Sequence, residues 1–276
     1  MTNDVADPMA AEFGTVAEWT AQVAADLGPE YYVPAACRGS GQPMALDWLL
    51  DGLRPGPDDR MLDVGAGVGG PAAYAAGKTG VRPVLAEPEP GACRAAARLF
   101  ALPVVQADAT RLPFKTGSVD KAWCLGVLCT AAGPDAQLAM LRELRRVVRP
   151  GGQSRIGLLV YLAETEQLED PPRGNHFPAS TGLHALLGRA GLGVDAVADA
   201  QQMPDPPAGW ADRTAAVERE LERRYGSTPQ LAAAGEQSDR IGRLLSSGQL
   251  TSQVLLVRTK ALPAKTATMT EGEGRS

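Results

Sequence analysis

The stretch MLDVGAGVGGPAAY, residues 61–74, decides the reading of this chain. A short apolar run ends in Asp63 and enters a turn holding Gly65, Gly67, Gly69 and Gly70, after which Pro71 and a run of small residues open a helix. Glycine tolerates backbone angles closed to other residues and puts no side chain between the main chain and a ligand. A strand, a Gly-rich turn and a helix at the carboxyl edge of a parallel sheet therefore form a nucleotide-type site by geometry.

Working outward, the same rhythm repeats. PVLAEP ends its apolar run in Glu87, seventeen residues after Gly70, where a carboxylate can accept hydrogen bonds from both hydroxyls of a ribose. PVVQAD ends in Asp108, followed by Ala109, and KAWCLGVL and SRIGLLVYL supply two further apolar runs. Five strands alternating with helical segments predict a parallel sheet covered on both faces. Among the helices, ACRAAARLFA is rich in alanine, and DAQLAMLRELRRVV puts Leu138, Leu141, Leu144 and Val148 on one stripe. Pro134 and Pro150-Gly151-Gly152 bound that second helix.

On the N-terminal side, residues 12–27 and PMALDWLLDGL read as helices joined by the connector YYVPAACRGSGQ, residues 31–42, which could cover a ligand. Beyond the fifth strand, Ser180 is placed to cap a helix carrying Leu183, Leu186 and Leu187, and a strand is expected near VDAVADA. WADRTAAVERELERRYG and PQLAAAGEQSDRIGRLLSSG then read as inserted helices, the second capped by Thr228, before a closing strand TSQVLLVRTKA. The expected fold class is α/β, a mostly parallel seven-stranded sheet flanked by helices, with N-terminal helices and a helical insertion before the last strand. The expected boundaries are an N-terminal cap segment over 1–45, a core over 46–202, the insertion over 203–250, the closing strand over 251–261 and a disordered tail over 262–276.

Composition narrows the function. The 276 residues are 44% hydrophobic and 21% charged, an ordinary globular balance. The net charge of −5 offers little with which to neutralise phosphates, so a small-molecule partner is expected and nucleic acid is not. Cys37, Cys93, Cys124 and Cys129 form no CxxC pair and have only His176 and His184 as nitrogen companions, so neither a metal site nor a disulfide framework is expected. The acidic N-terminus lacks the basic region of a signal peptide, and no apolar run is long enough to span a membrane, which predicts a cytoplasmic protein.

Taken together, LDVGAGVGG, VLAEP, QADATRLPF, SVDKAWCLGVL and LRELRRVVRPGG resemble the class I S-adenosylmethionine-dependent methyltransferases, particularly their small-molecule group, over roughly residues 46–192. The resemblance implies a Rossmann-like fold, S-adenosyl-L-methionine as cofactor, and methyl transfer to a small-molecule acceptor in a monomer or homodimer, with specialised metabolism as a setting. It further implies that Gly65, Ala66 and Gly67 approach the methionine part of the cofactor, with Asp63 supporting their loop. Glu87 would take the ribose diol, Pro88 would flank the adenine, Asp108 would accept from the adenine amino group, and Ala109 would lie against the ring. Leu125 and Gly126 would line the route to the sulfonium. The family usually carries a polar or aromatic residue after the fourth strand, whereas residues 128–132 here are LCTAA, small and mostly apolar.

GAGVGG also fits the dinucleotide fingerprint, which keeps an NAD-dependent oxidoreductase as an alternative, although Asp63, the Asp108-Ala109 pair and RPGG would then be idle. A protein that binds the cofactor without methylating is a third reading, since a fold alone does not define a reaction. AAYAAGKT mimics a phosphate loop but falls inside the first crossover helix, leaving Lys78 near a helix end. For the acceptor side, His176 in PPRGNHFPAS is the candidate general base. Arg38 could pair with the cofactor carboxylate through its planar fork, while Trp19 and Trp210 could wall the acceptor pocket. The stripe Val217, Leu221 and Tyr225 suits either a cap over the acceptor or a dimer contact.

Overall fold

The computed structural model describes residues 11–37, 39, 41–151 and 154–260. Arg38 and the expected tail over 262–276 therefore lie outside the described residues. A π-helical turn, Ala11–Val16, runs into α1 (Ala17–Leu27), followed by α2 (Tyr32–Ala36) and α3 (Pro43–Leu53). The core then alternates: β1 (Met61–Val64), α4 (Gly70–Thr79), β2 (Val84–Glu87), α5 (Pro90–Leu99), β3 (Val104–Gln106) and β4 (Lys121–Leu125). It continues through α6 (Pro134–Val147), β5 (Arg155–Ala163), α7 (Leu183–Arg189) and β6 (Leu192–Asp199). Two long helices, α8 (Trp210–Tyr225) and α9 (Pro229–Ser246), precede β7 (Leu250–Thr259).

The strands form one seven-stranded sheet in the order β3-β2-β1-β4-β5-β7-β6. The first five pair in parallel, and β7 inserts antiparallel between β5 and β6. Alternation along a strand sends its side chains to opposite faces. In β4, Ala122 and Cys124 join the core that contains α6 and α7, whereas Trp123 and Leu125 join the core built on α3. On α3, Leu46, Leu49, Leu50 and Leu53 are all buried, each contributing roughly 1.5–3 kcal/mol of gross hydrophobic stabilisation. The expected stripe Leu138, Leu141, Leu144 and Val148 is buried as well. Among the described residues no helix is long and apolar enough to cross a membrane.

Several local expectations change. The connector is half helical, because Tyr32–Ala36 form α2 against α4 and α1. Ser180 does not cap α7. It lies in a 3-10 turn and its Oγ pairs with Glu164 Oε2 at 2.7 Å, a partner remote in sequence. Thr228 does cap α9, its Oγ1 accepting from the Leu231 N–H at 3.4 Å, with Pro229 at the first helical position. Lys78 sits in the last turn of α4 and pairs with Asp47, as a helix-end residue rather than a phosphate ligand.

The stripe on α8 is also settled. Val217 and Leu221 are buried within the chain, in a cluster with residues of α1 and α2 such as Ala21 and Ala35, so they are not free for a dimer contact. Trp19 stacks on Tyr225 with ring centroids 4.2 Å apart, and Trp210 meets Tyr74 edge-on at 6.0 Å. Both tryptophans thus serve helix packing instead of walling a pocket. The shape of α8 as a brace comes from tertiary partners that a linear pattern does not reveal.

Candidate active site

At the end of β1 the chain must turn without blocking the sheet edge. The Gly65 N–H bonds to Ala86 O at 2.8 Å, and the Gly69 N–H to Ala66 O at 2.9 Å, tying the loop to β2 and to itself. Two glycines of this turn are needed for different reasons. At Gly65, φ is +70° and an added Cβ would lie 2.3 Å from a Val127 methyl, so a neighbouring loop packs directly on it. At Gly67, φ is +54° and nothing lies within 4 Å of an added Cβ, which would project into open space.

That space belongs to a cavity of about 290 Å³. Ligand pockets of small-molecule enzymes begin at about this size. One end is formed by Asp63, Gly65, Ala66, Gly67, Glu87 and Pro88, and Leu125 and Gly126 lie along its wall. The other end is formed by Thr130, Tyr161, Asn175, Gln237 and Ile241, from the turn after β4, from β5, from the loop after β5 and from α9. Phe13 and Ala17 close it from the N-terminal segment.

Two acids give the first end its electrostatics. Asp63 is 2% exposed, and its Oδ2 makes no hydrogen bond to the described residues. Burial pushes its carboxyl up to about 7, against a smaller lowering influence from the Trp123 indole on the adjoining strand and a small raising influence from Glu87. Glu87 accepts the Gly67 N–H on Oε2 at 2.8 Å and the Glu89 N–H on Oε1 at 3.0 Å. Burial raises its pKa, and these two main-chain donors work in the opposite direction.

The structure brings eight of the residues singled out in the sequence to this cavity: Asp63, Gly65, Ala66, Gly67, Glu87, Pro88, Leu125 and Gly126. Asp108 and Ala109 lie past the end of β3, outside the lining. Asp108 is exposed, and its Oδ1 takes the Thr110 N–H and hydroxyl, both at 2.6 Å. His176 is exposed and does not line the cavity. Its main chain is what the site uses: its N–H bonds to Cys129 O and its carbonyl accepts from Gln137 Nε2, each at 2.6 Å. The neighbouring Asn175 is the residue of that loop that reaches the cavity.

Val127, Asn175, Gln237 and Ile241 were not singled out in the sequence. One signal was present for Gln237. Ala234, Gln237, Ile241 and Leu244 recur at helical spacing, and a lone amide interrupts an otherwise apolar face. Among the described residues, no group of three or more His, Cys, Asp or Glu side chains could hold a metal ion.

A family model for the methyltransferase domain matches residues 62–156. The fold is similar to that of the [4+2]-cyclase SpnF, with a TM-score of 0.60 and 22% identity over 79% of this chain and 80% of that one. It is also similar to geranyl diphosphate C-methyltransferase from Streptomyces coelicolor A3(2), whose structure holds Mg2+, geranyl diphosphate and S-adenosyl-L-homocysteine. That match has a TM-score of 0.55 and 15% identity, over 77% of this chain and 76% of that one. Haemonchus contortus phosphoethanolamine N-methyltransferase 2, in complex with S-adenosyl-L-methionine, matches with a TM-score of 0.59 and 16% identity, over 86% of this chain and 57% of that one.

Residues 62–156 thus match a methyltransferase domain, and the fold is similar to that of methyltransferases whose structures hold S-adenosyl-L-methionine or S-adenosyl-L-homocysteine. The residues present fit such a cofactor, since a buried carboxylate oxygen of Asp63 is left unpartnered beside open space over Gly67.

Proposed function

We propose that the protein transfers the methyl group of S-adenosyl-L-methionine to a small-molecule acceptor, in specialised metabolism, held beneath α9. The observation that carries this reading is the continuity of one cavity from the Gly65–Gly67 turn to Gln237 and Ile241. The bound cofactor supplies an electrophilic methyl group on a sulfonium. In this reading Gly65, Ala66 and Gly67 lie along its methionine part, with Asp63 supporting that loop, and Glu87 takes the ribose hydroxyls. Pro88 flanks the adenine, and Asp108 offers the ring its second carboxylate oxygen beside Ala109. Leu125 and Gly126 line the route to the methyl carbon, and Arg38 is assigned the cofactor carboxylate.

In-line displacement requires the acceptor atom to be held about 3 Å from the methyl carbon in a dry site. The neutral residues at the far end support catalysis by positioning. The His176 side chain lies outside the cavity, and burial pushes the Cys129 thiol up to about 11, so neither offers a ready base there. We also read α9 and residues 31–42 as the two sides of an acceptor cap, since Gly39, Gly41 and Gln237 all line the cavity. Hydrogen exchange should show protection in both segments on ligand binding at constant oligomeric state. Protection that follows protein concentration instead would overturn the cap.

Calorimetry against S-adenosylmethionine, S-adenosylhomocysteine and NAD, followed by turnover across an acceptor library, tests the assignment. Binding of the first two with release of S-adenosylhomocysteine is expected, whereas binding of NAD alone would sink it. The likeness to a cyclase favours a second reading, in which the cofactor is held and not consumed. Product formation without loss of S-adenosylmethionine would select it.

A further inference from the structure

We infer that the acceptor end of the cavity is built to hold an uncharged hydroxyl-bearing molecule, which Gln237 meets with a donor and Asn175 with an acceptor. The inference rests on the methyl-transfer reading above and adds the chemistry of the group that is recognised. An amide side chain can present either its oxygen or its NH2 to a ligand. Here the partners decide.

Gln237 is 6% exposed and lines the cavity from α9. Its Oε1 accepts the Arg173 main-chain N–H at 3.0 Å. Because a backbone N–H can only donate, the oxygen must face Arg173, and the NH2 is the end left over. That nitrogen makes no hydrogen bond to the described residues, and the residue that carries it lines the cavity.

Asn175 is fixed from the opposite side. The Cys129 thiol donates to Gly126 O at 3.2 Å, which uses its single hydrogen. The sulfur can then only accept, and Asn175 Nδ2 donates to it at 3.3 Å. The amide oxygen of Asn175 is thereby left for a ligand. The loop carrying Asn175 is also pinned by the His176 N–H on Cys129 O and by Gln137 Nε2 on His176 O.

One donor and one acceptor, on walls that carry the hydroxyls of Thr130, Tyr161 and Ser238 beside apolar Phe13, Val127, Pro172 and Ile241, match a hydroxyl, which both accepts and donates, on an apolar body. A phosphate or carboxylate would face the Asn175 oxygen unfavourably, and no lysine or arginine among the described residues lines the cavity to neutralise it. An ammonium would face the Gln237 NH2 in the same unfavourable way.

The test uses full-length protein saturated with S-adenosylhomocysteine, whose own binding is first measured by calorimetry. Saturation-transfer NMR titrations then compare 2-naphthol, naphthalene and 2-naphthyl phosphate. We expect naphthol to bind about tenfold or more tighter than either, the gain of roughly one pair of neutral hydrogen bonds. Glu replaces Gln237 without losing an acceptor for the Arg173 N–H, so Gln237→Glu should fold, retain S-adenosylhomocysteine, lose the naphthol preference and leave naphthalene unchanged. Equal binding of the three probes, tighter phosphate binding, failure of naphthol to bind, or an unchanged naphthol preference in Gln237→Glu would each overturn the inference while leaving the cofactor reading intact. If the variant does not fold, the wild-type comparison decides alone. Absence of S-adenosylhomocysteine binding would overturn the methyl-transfer reading, and this one with it.

Discussion

Glu87 Oε2 accepts a hydrogen bond from the Gly67 N–H at 2.8 Å, so the acid that ends β2 holds the glycine turn that follows β1. The same carboxylate is proposed to meet the ribose, and its two duties can be separated. Glu87→Ala should weaken S-adenosylmethionine binding by about ten- to a hundredfold, the value of charged hydrogen bonds of about 1.5–3 kcal/mol. It should also lower the melting temperature of ligand-free protein, because the Gly67 and Glu89 N–H groups lose their acceptor. Glu87→Gln should restore much of the stability and less of the affinity. Calorimetry and thermal melts on both variants check this, and unchanged affinity in Glu87→Ala would remove the residue from the cofactor site.

Gly65 and Gly67 should fail in different ways. Gly65→Ala places a methyl on Val127 at positive φ, so it should destabilise the fold itself. Gly67→Val meets no protein atom within 4 Å of its Cβ but fills cavity space. It should keep most of its circular-dichroism spectrum and lose cofactor binding. A Gly67→Val protein with near-native affinity would contradict the proposed placement of the cofactor over this turn.

Asp63 makes the ligand-free protein sensitive to pH. Its folded-state pKa of about 7 lies above the ordinary aspartate value of 3.8, so the folded state holds the proton more tightly than the unfolded one. Its contribution is therefore fully present below about pH 4 and is lost as pH rises to about 7, a change on the order of a few kcal/mol. Asp63→Asn should match the wild type in urea denaturation at about pH 4 and exceed it at about pH 8 without cofactor. Parallel stability profiles for the two proteins would refute the shift.

The N-terminal segment is seated on glycine. A Cβ at Gly91, in the first turn of α5, would lie 2.3 Å from the Gly14 carbonyl oxygen, and Phe13 beside it lines the cavity. Gly91→Ala should unseat residues 11–16, raise their hydrogen exchange and weaken cofactor binding several-fold, with exchange in the β1–β5 sheet unchanged. Equal exchange and affinity would show that the segment is not held there.

The parallel half of this fold was legible because each strand ends in a recognisable residue, Asp63, Glu87 or the Asp108 that follows β3, with a Gly- or Pro-marked turn nearby. Those signals are local. The end of the cavity proposed for the cofactor was legible for the same reason, since Gly65, Gly67 and Glu87 approach one another through adjacent parallel strands. The acceptor end was not. Asn175, Gln237 and Val127 meet only after α9 packs back over the sheet, and no short-range pattern encodes that contact. His176 pointed to a loop that reaches the cavity, but Gln137 and Cys129 hold its main chain, and it is Asn175 that lines the space. Trp19 and Tyr225 lie far apart in sequence, so their stacking, and the burial of Val217 and Leu221 that accompanies it, could not be read from periodicity.

The place of β7 between β5 and β6 has a consequence for how the protein is born. As the chain leaves the ribosome, β1 to β5 and their helices can assemble in order, and the turn proposed to carry the cofactor is complete early. Until Leu250–Thr259 emerges, β5 and β6 keep open edges prone to pairing with other chains, and α9 is tethered to nothing on its C-terminal side. The nascent molecule thus completes the half proposed for the cofactor before the half proposed for the acceptor. Limited proteolysis of ribosome-stalled chains should find the first half resistant while α9 is still cut.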